Sequence, residues 1–375
     1  MSNPGNSTAE KYFKEAKEKI AQGEIDEAVD IFIQSINVDY KFDPTYLILR
    51  NIKLNSAIIN KLKKEYIEII ENYPEFVRAR INLADLYTRE KEFQKAIREF
   101  NKVLNLKLSR SNPEFIQKYW EDKKKGRPNF IIIGAEKSGT SSLFQYMINH
   151  PKILTPVEKE THFFTKKFKN GFDWYSAHFA YIPNDSNYIT GEASTSYLCD
   201  YRNSVRRIKK YLDDSVFIAV LRNPVDRAVS NYYQMAKLGN EKRDIEQAFE
   251  EEINILNKTK NPLSKFVLLK THSFGQRGYL WRGLYYYFFK RWFSEFPRER
   301  FLILKSKDLF ENTTDTMSQV FRFLDLEDYK EKQYKKYNPG RYNPVDDKLR
   351  RELTKFFKPH NQKLDNLLAK DFGWE

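Results

Sequence analysis

Residues 129–150 read NFIIIGAEKSGTSSLFQYMINH. The segment opens on an apolar run, 129–135, passes through a loop holding Gly134 and Gly139, and continues as a helical pattern from about Ser141. A short apolar run that ends in glycines is the mark of a buried strand feeding a tight turn. A helix beginning there presents free N–H groups and the positive end of its dipole, which suits an anion. Lys137 adds a charge, and Ser138, Thr140, Ser141 and Ser142 add hydroxyl donors. Gly134 and Gly139 have the spacing of a Walker A loop, but Thr140 stands where that loop needs lysine, and the lysine has moved to 137. That argues against an ATPase or GTPase.

Three further runs follow, a weaker one at 189–193 and two apolar ones at 216–221 and 301–304, with amphipathic stretches between them. Alternating strands and helices predict an α/β sandwich with a mainly parallel central sheet, with ligands at the carboxyl ends of its strands. The second run leads into a motif, VFIAVLRNPVDRAVSNYY at 216–233. Arg222 falls just past the strand, Pro224 starts a helix, and Arg227 and Ser230 ride on it. Arginine grips phosphate bidentately, and a nearby serine adds one hydrogen bond.

The first third of the chain has a different grammar. Ala28, Leu62 and Ala96 are spaced 34 apart, as are Phe32, Tyr66 and Phe100, and Ile36, Ile70 and Leu104. Ile25, Ile59 and Phe93 form a fourth column, and Phe13, Leu47 and Ile81 a fifth. This is the period of the tetratricopeptide repeat, a pair of helices per unit. Gly23 falls where the turn between two such helices belongs. The middle unit is degraded, with Arg50 where Ala16 and Ala84 stand in its neighbours. The division expected is about three all-α repeats over 8–109, a linker over 110–128 and an α/β domain over 129–375. No convergent acid, base or nucleophile set lies in the repeats.

Composition agrees with two domains: 375 residues, 41% hydrophobic and 31% charged. The net charge of +14 is spread among acidic residues along helices, with no Arg-rich tail to indicate nucleic acid. No apolar run approaches the ~20 residues of a membrane span. The polar beginning lacks the order of a signal peptide, and Cys199 is the single cysteine. The simplest expectation from these is a cytoplasmic protein. Five histidines and one cysteine at scattered positions form no metal-ligand spacing.

The loop with K-x-G-T-[ST]-x-L and the R-x-P-x-x-R-x-x-S motif resemble the 5′-phosphosulfate and 3′-phosphate loops of sulfotransferases that use PAPS (3′-phosphoadenosine 5′-phosphosulfate). Other segments resemble the heparan sulfate sulfotransferase type: VEKETHFFT at 157–165, GLYYYFFKRWFSEFP at 283–297, LILKSKDLFENT at 302–313, and the G-R loop with the F-G-W ending after it. The resemblance runs from 129 to the C-terminus. It implies PAPS as donor and PAP as product, with no metal. Glu160 matches the family's general base, the alternative being a surface carboxylate paired with Lys159, and His162 would touch the acceptor or the transferring group. Lys137 would balance charge on the bridging oxygen. The loop residues Ser138, Gly139, Thr140, Ser141 and Ser142 would hold the 5′-phosphosulfate, Arg222 and Ser230 the 3′-phosphate, and Gly340 and Arg341 would close over the donor.

Departures concern the acceptor. Thr165 stands where several members carry Asp or Asn, and neither the membrane anchor nor the disulfide of Golgi members is found. A saccharide hydroxyl or amine is the first expectation, with a peptide or small natural product as alternatives. Phe163, Phe164, Trp174, Tyr175, Tyr197 and Trp281 suit sugar stacking or, more simply, the core. A protein partner, a long acceptor or self-association would suit the repeats. Two competing classes stay open: a nucleotide kinase with a variant loop, and a scaffold whose α/β domain is catalytically dead.

Overall fold

The computed structural model describes residues 4–121, 124–200, 202–258, 262–263, 278–337, 340 and 344–374. It divides into two compact units. One comprises the described part of Met1–Gly126 with Thr155–Val157 and Lys169–Pro183, and the other Arg127–Leu154, Glu158–Phe168 and Asn184–Glu375.

The first unit is a succession of helices: α1 (Pro4–Gln22), α2 (Ile25–Val38), α3 (Asp43–Leu49), α4 (Ser56–Asn72), α5 (Val77–Arg89), α6 (Phe93–Ser111) and α7 (Pro113–Tyr119). Gly23 turns the chain between α1 and α2 at φ +86°, a region open to glycine at little cost. The 34-residue columns become the interior. Ala28, Leu62 and Ala96 are fully buried, and Phe32, Tyr66 and Phe100 nearly so. The fifth column fails in the middle, where Leu47 is 44% exposed. There α3 stops after seven residues, and Arg89 instead bonds the backbone oxygens of Arg50 and Ile52 that follow it.

This unit extends beyond residues 8–109. Within the expected linker, Pro113 starts α7, its missing N–H costing nothing at a helix start. Two segments from far along the chain also join it. A short helix, α9 (Phe172–Ser176), buries Trp174 edge-on to Phe100 at 5.6 Å, with its Nε1 donating to Thr88 Oγ1 at 2.8 Å. His178 packs on Phe100 at 4.2 Å, and Lys107 Nζ donates to the carbonyls of Pro156 and Val157. Aromatic burial of this size outweighs sequence distance.

The second unit is built on one five-stranded sheet among the described residues, in the order β2-β3-β1-β4-β5. Its strands are β1 (Phe130–Gly134), β2 (Ile153–Leu154), β3 (Ile189–Glu192), β4 (Val216–Leu221) and β5 (Phe301–Lys305), all paired parallel. The runs are apolar throughout because helices cover both faces of a parallel sheet. Phe130 and Ile132 of β1, Ile218 and Val220 of β4, and Leu304 of β5 meet Leu143 and Met147 of α8 (Thr140–Ile148) in one core. β2, with two residues, was not anticipated; it is too short to leave a pattern in the sequence. The strand order reverses about β1, with β3 on one side and β4 on the other. That places the loops after β1 and β4 side by side at the carboxyl edge, where such sheets bind ligands.

Candidate active site

A cavity of about 1070 Å³ opens at that edge. The loop after β1 supplies its floor, with Lys137, Ser138, Gly139, Thr140 and Ser141 all lining it. Gly139 caps α8 at φ +99°, and a Cβ there would lie 2.8 Å from the Phe310 ring. Only glycine satisfies both constraints, so the N–H groups of the first turn of α8 stay open to the cavity. Burial lowers the Lys137 pKa, Glu136 opposes this, and Arg227 and Arg222 add to it. Glu136 is itself held by Arg282 at 2.6 Å.

The loop after β4 forms the adjoining wall. Asn223 accepts from Val225 N at 2.9 Å and caps α10 (Pro224–Lys237). Arg222 and Ser230 both line the cavity. The Arg222 carbonyl accepts from Tyr285 Oη at 3.1 Å, and its Nη1 donates to the Lys137 carbonyl at 3.3 Å, tying the two loops together. Arg227, by contrast, points into the protein: it is fully buried and donates to the Tyr279 carbonyl.

Glu160 enters from a third side, on the segment Glu158–Phe168. Its carboxylate oxygens face different side chains. Oε1 accepts from Lys159 Nζ at 2.7 Å, and Oε2 lies 3.3 Å from His162 Nε2. Burial raises the Glu160 pKa, but the His162 hydrogen bond and the Lys159 charge more than reverse that, leaving it at about 2. His162 sits in the left-handed region at φ +51°, with its Nδ1 3.3 Å from Ser196 Oγ. It meets Glu160 and Ser196 rather than lining the cavity.

A buried carboxylate that sequence reasoning missed fixes this segment. Glu192, at the end of β3, accepts from Thr161 N at 3.3 Å, Thr161 Oγ1 at 2.7 Å and Tyr197 Oη at 3.1 Å, and from Ser194 Oγ. An acidic residue ending a buried strand was the available signal.

The remaining expected residues divide. Gly340 lines the cavity, beside Phe372, Gly373 and Trp374 of the chain's last turn. Ser142 does not: its Oγ accepts from Tyr337 N at 3.0 Å. Arg341 lies outside the described residues. The aromatics Phe163, Phe164, Tyr197 and Trp281 are buried as core, as are Trp174 and Tyr175 in the helical unit. Lys305, Ser306 and Lys336, which the sequence did not mark, also line the cavity.

Residues 127–363 match the sulfotransferase domain family. The chain belongs to the sulfotransferase family. Its catalytic unit is therefore a transferase of sulfuryl groups, drawn from a family whose donor is PAPS. The membrane-associated sulfotransferase kil1 of Dictyostelium discoideum is 26% identical over 314 residues, covering 66% of this chain and 66% of that protein. The human heparan sulfate glucosamine 3-O-sulfotransferase 6 is 27% identical over 276 residues, covering 66% and 73%. Among solved structures, a sulfotransferase from Alicyclobacillus acidocaldarius superposes with a TM-score of 0.50 at 27% identity, covering 66% of this chain and 98% of that one.

The relative from D. discoideum corrects one expectation. It is membrane-associated, which overturns the cytoplasmic reading of this sulfotransferase. A lone cysteine and the lack of a long apolar run limit disulfides and spans, not compartment, and proteins attach to membranes without crossing them. Among the described residues no helix is long and apolar enough to cross a membrane.

Proposed function

We propose that this sulfotransferase moves the sulfuryl group of PAPS to a hydroxyl or amine of a carbohydrate and releases PAP. One observation carries the reading: a single cavity collects Lys137 and the start of α8, Arg222 with Ser230, and Glu160. Two anion-binding walls and one carboxylate are what a doubly phosphorylated donor and an acceptor proton require. In the step, the acceptor oxygen or nitrogen forms its bond to sulfur. The sulfur–oxygen bond to the 5′-phosphate breaks, and its electron pair leaves with PAP. Glu160 takes the acceptor proton, and Lys137 balances the charge growing on the bridging oxygen. Arg222 and Ser230 hold the 3′-phosphate, and the 5′-phosphosulfate lies on the residues from Ser138 to Ser141. Gly340 closes over the donor. The names of the heparan sulfate relatives favour a saccharide acceptor.

We further read the helical unit as three tetratricopeptide-like units of 34 residues, supported by two columns, Ala28/Leu62/Ala96 and Phe32/Tyr66/Phe100, that are buried in every unit. Its concave face would take a partner protein or guide a long acceptor.

The test pairs a thermal-shift titration with a transfer assay. PAP at 100 times its dissociation constant stabilises the protein by about 2.7 kcal/mol, and ATP with Mg²⁺ does not. Label from [³⁵S]PAPS then appears on heparan sulfate. Absence of any PAP response would end the donor assignment.

A further inference from the structure

Lys159 stands at a junction that the proposed mechanism does not use. Its Nζ donates to Glu160 Oε1 at 2.7 Å and to Ser141 Oγ, in the first turn of α8, at 2.9 Å. One ammonium group thus joins the carboxylate to the anion-binding loop. Its own backbone is fixed as well: the Lys159 carbonyl accepts from Ala193 N at 2.7 Å, just beyond β3. Its side chain is 24% exposed and that of Glu160 34%, so the pair is partly shielded from water. An ion pair in that setting keeps more of its Coulomb energy than a surface pair.

The lone-pair count matters. An ionised carboxylate offers about four acceptor sites. Lys159 takes one on Oε1 and His162 one on Oε2, which leaves a site on each oxygen for an incoming acceptor proton. The two contacts also remove the freedom of the Glu160 side chain to rotate. The sequence neighbour that looks like an ordinary surface partner therefore sets the direction of the base.

We propose that Lys159 is a positioning residue of this enzyme, clamping Glu160 against the first turn of α8. The inference rests on the reading of Glu160 as the base. Lys159 and His162 are the side chains that lower the Glu160 pKa, and the basic residues Lys137, Arg222, Lys305, Lys307 and Lys336 line the same cavity. Removal of Lys159 leaves His162 and raises the Glu160 pKa. The acid limb of the rate profile then moves to higher pH.

The experiment uses the full chain as wild type, Lys159→Met and Lys159→Arg, with Glu160→Gln as the assignment control. The Glu160 carboxyl is titrated by ¹³C NMR without any ligand, PAP affinity is measured by calorimetry, and kcat/KM with PAPS and heparan sulfate is followed against pH. The clamp predicts a Glu160 midpoint about one unit higher in Lys159→Met, in the range of a nearby opposite charge, and restored in Lys159→Arg. It also predicts PAP affinity within about threefold of wild type, and turnover at least about tenfold lower with the acid limb displaced upward. An unchanged midpoint overturns the clamp, even with turnover reduced. Wild-type turnover and limb in Lys159→Met overturn it as well. A shifted midpoint in a protein whose wild type binds no PAP and moves no sulfate would instead sink the proposed function and leave the Lys159–Glu160 coupling standing.

Discussion

Glu160 accepts from Lys159 on one carboxylate oxygen and faces His162 on the other, and with its pKa held at about 2 it is ionised at neutral pH and ready to accept a proton. Replacing it with Gln keeps the shape and removes that capacity. Glu160→Gln is expected to lower kcat by roughly 10²–10⁴ while PAP binds as before; near-normal turnover in a steady-state assay would strip Glu160 of the role. Arg222 has the opposite profile, since it lines the cavity without meeting the carboxylate. Arg222→Ala is expected to weaken PAP by about 10- to 100-fold, the worth of a charge-assisted contact. Unchanged PAP affinity in calorimetry would remove it from the phosphate site. Both positions were legible in the sequence because their chemistry sits within contiguous motifs. Glu192 was not, because its partners Thr161, Ser194 and Tyr197 converge only once β3 has paired with β1. Ser142 was misread for a related reason. Its hydroxyl belongs to the loop run by sequence, but the turn of α8 carries it round to the Tyr337 backbone.

Among the elements, the start of α8 is the most constrained. Gly139→Ala forces a Cβ into a left-handed backbone and against Phe310. A cost of roughly 1–3 kcal/mol is expected from the backbone alone, with a lower Tm and PAP affinity reduced more than the Tm change explains. A variant with wild-type Tm and PAP affinity would show that the loop tolerates the side chain. The helix Asp347–Leu368 offers a pH test instead. Burial, with Lys363 adding to it, depresses the His360 pKa from its ordinary 6.5 to about 4. A group depressed in the folded state binds its proton first in the unfolded state, so stability is full above about 6.5 and falls as pH drops toward 4. His360→Gln is expected to flatten that part of a Tm-against-pH curve; an identical slope would mean that other groups set it. The strands β1, β3, β4 and β5 were legible because each falls on a short run set off by breaks. β2 was lost because two residues carry no period.

At the level of the whole chain, the 34-residue columns announced a helical unit, and the burial of two of them in every unit explains why. They gave no hint that residues 155–157 and 169–183 would be part of it. Those segments carry no repeat pattern, and their membership comes from the packing of Trp174 and His178 on Phe100. A chain shortened to residues 127–375 therefore leaves Trp174, Tyr175 and Phe179 without the surface that buries them. Aggregation or a molten response to a hydrophobic dye is expected, where the full chain stays monodisperse in light scattering. A well-behaved fragment with sharp thermal unfolding would show that the 169–183 segment finds another resting place.

That shared construction bears on ancestry. Had the helices been added to a finished enzyme by simple joining of genes, one cut near residue 126 would separate the two parts. Here the chain leaves the helical unit, returns to it at 155–157, and returns again at 169–183, on either side of the stretch that carries Glu160. Exchange of either half with a relative must therefore bring matching versions of all three pieces at once. Lineages that keep the helices are expected to change those pieces in concert, as lock and key are recut together.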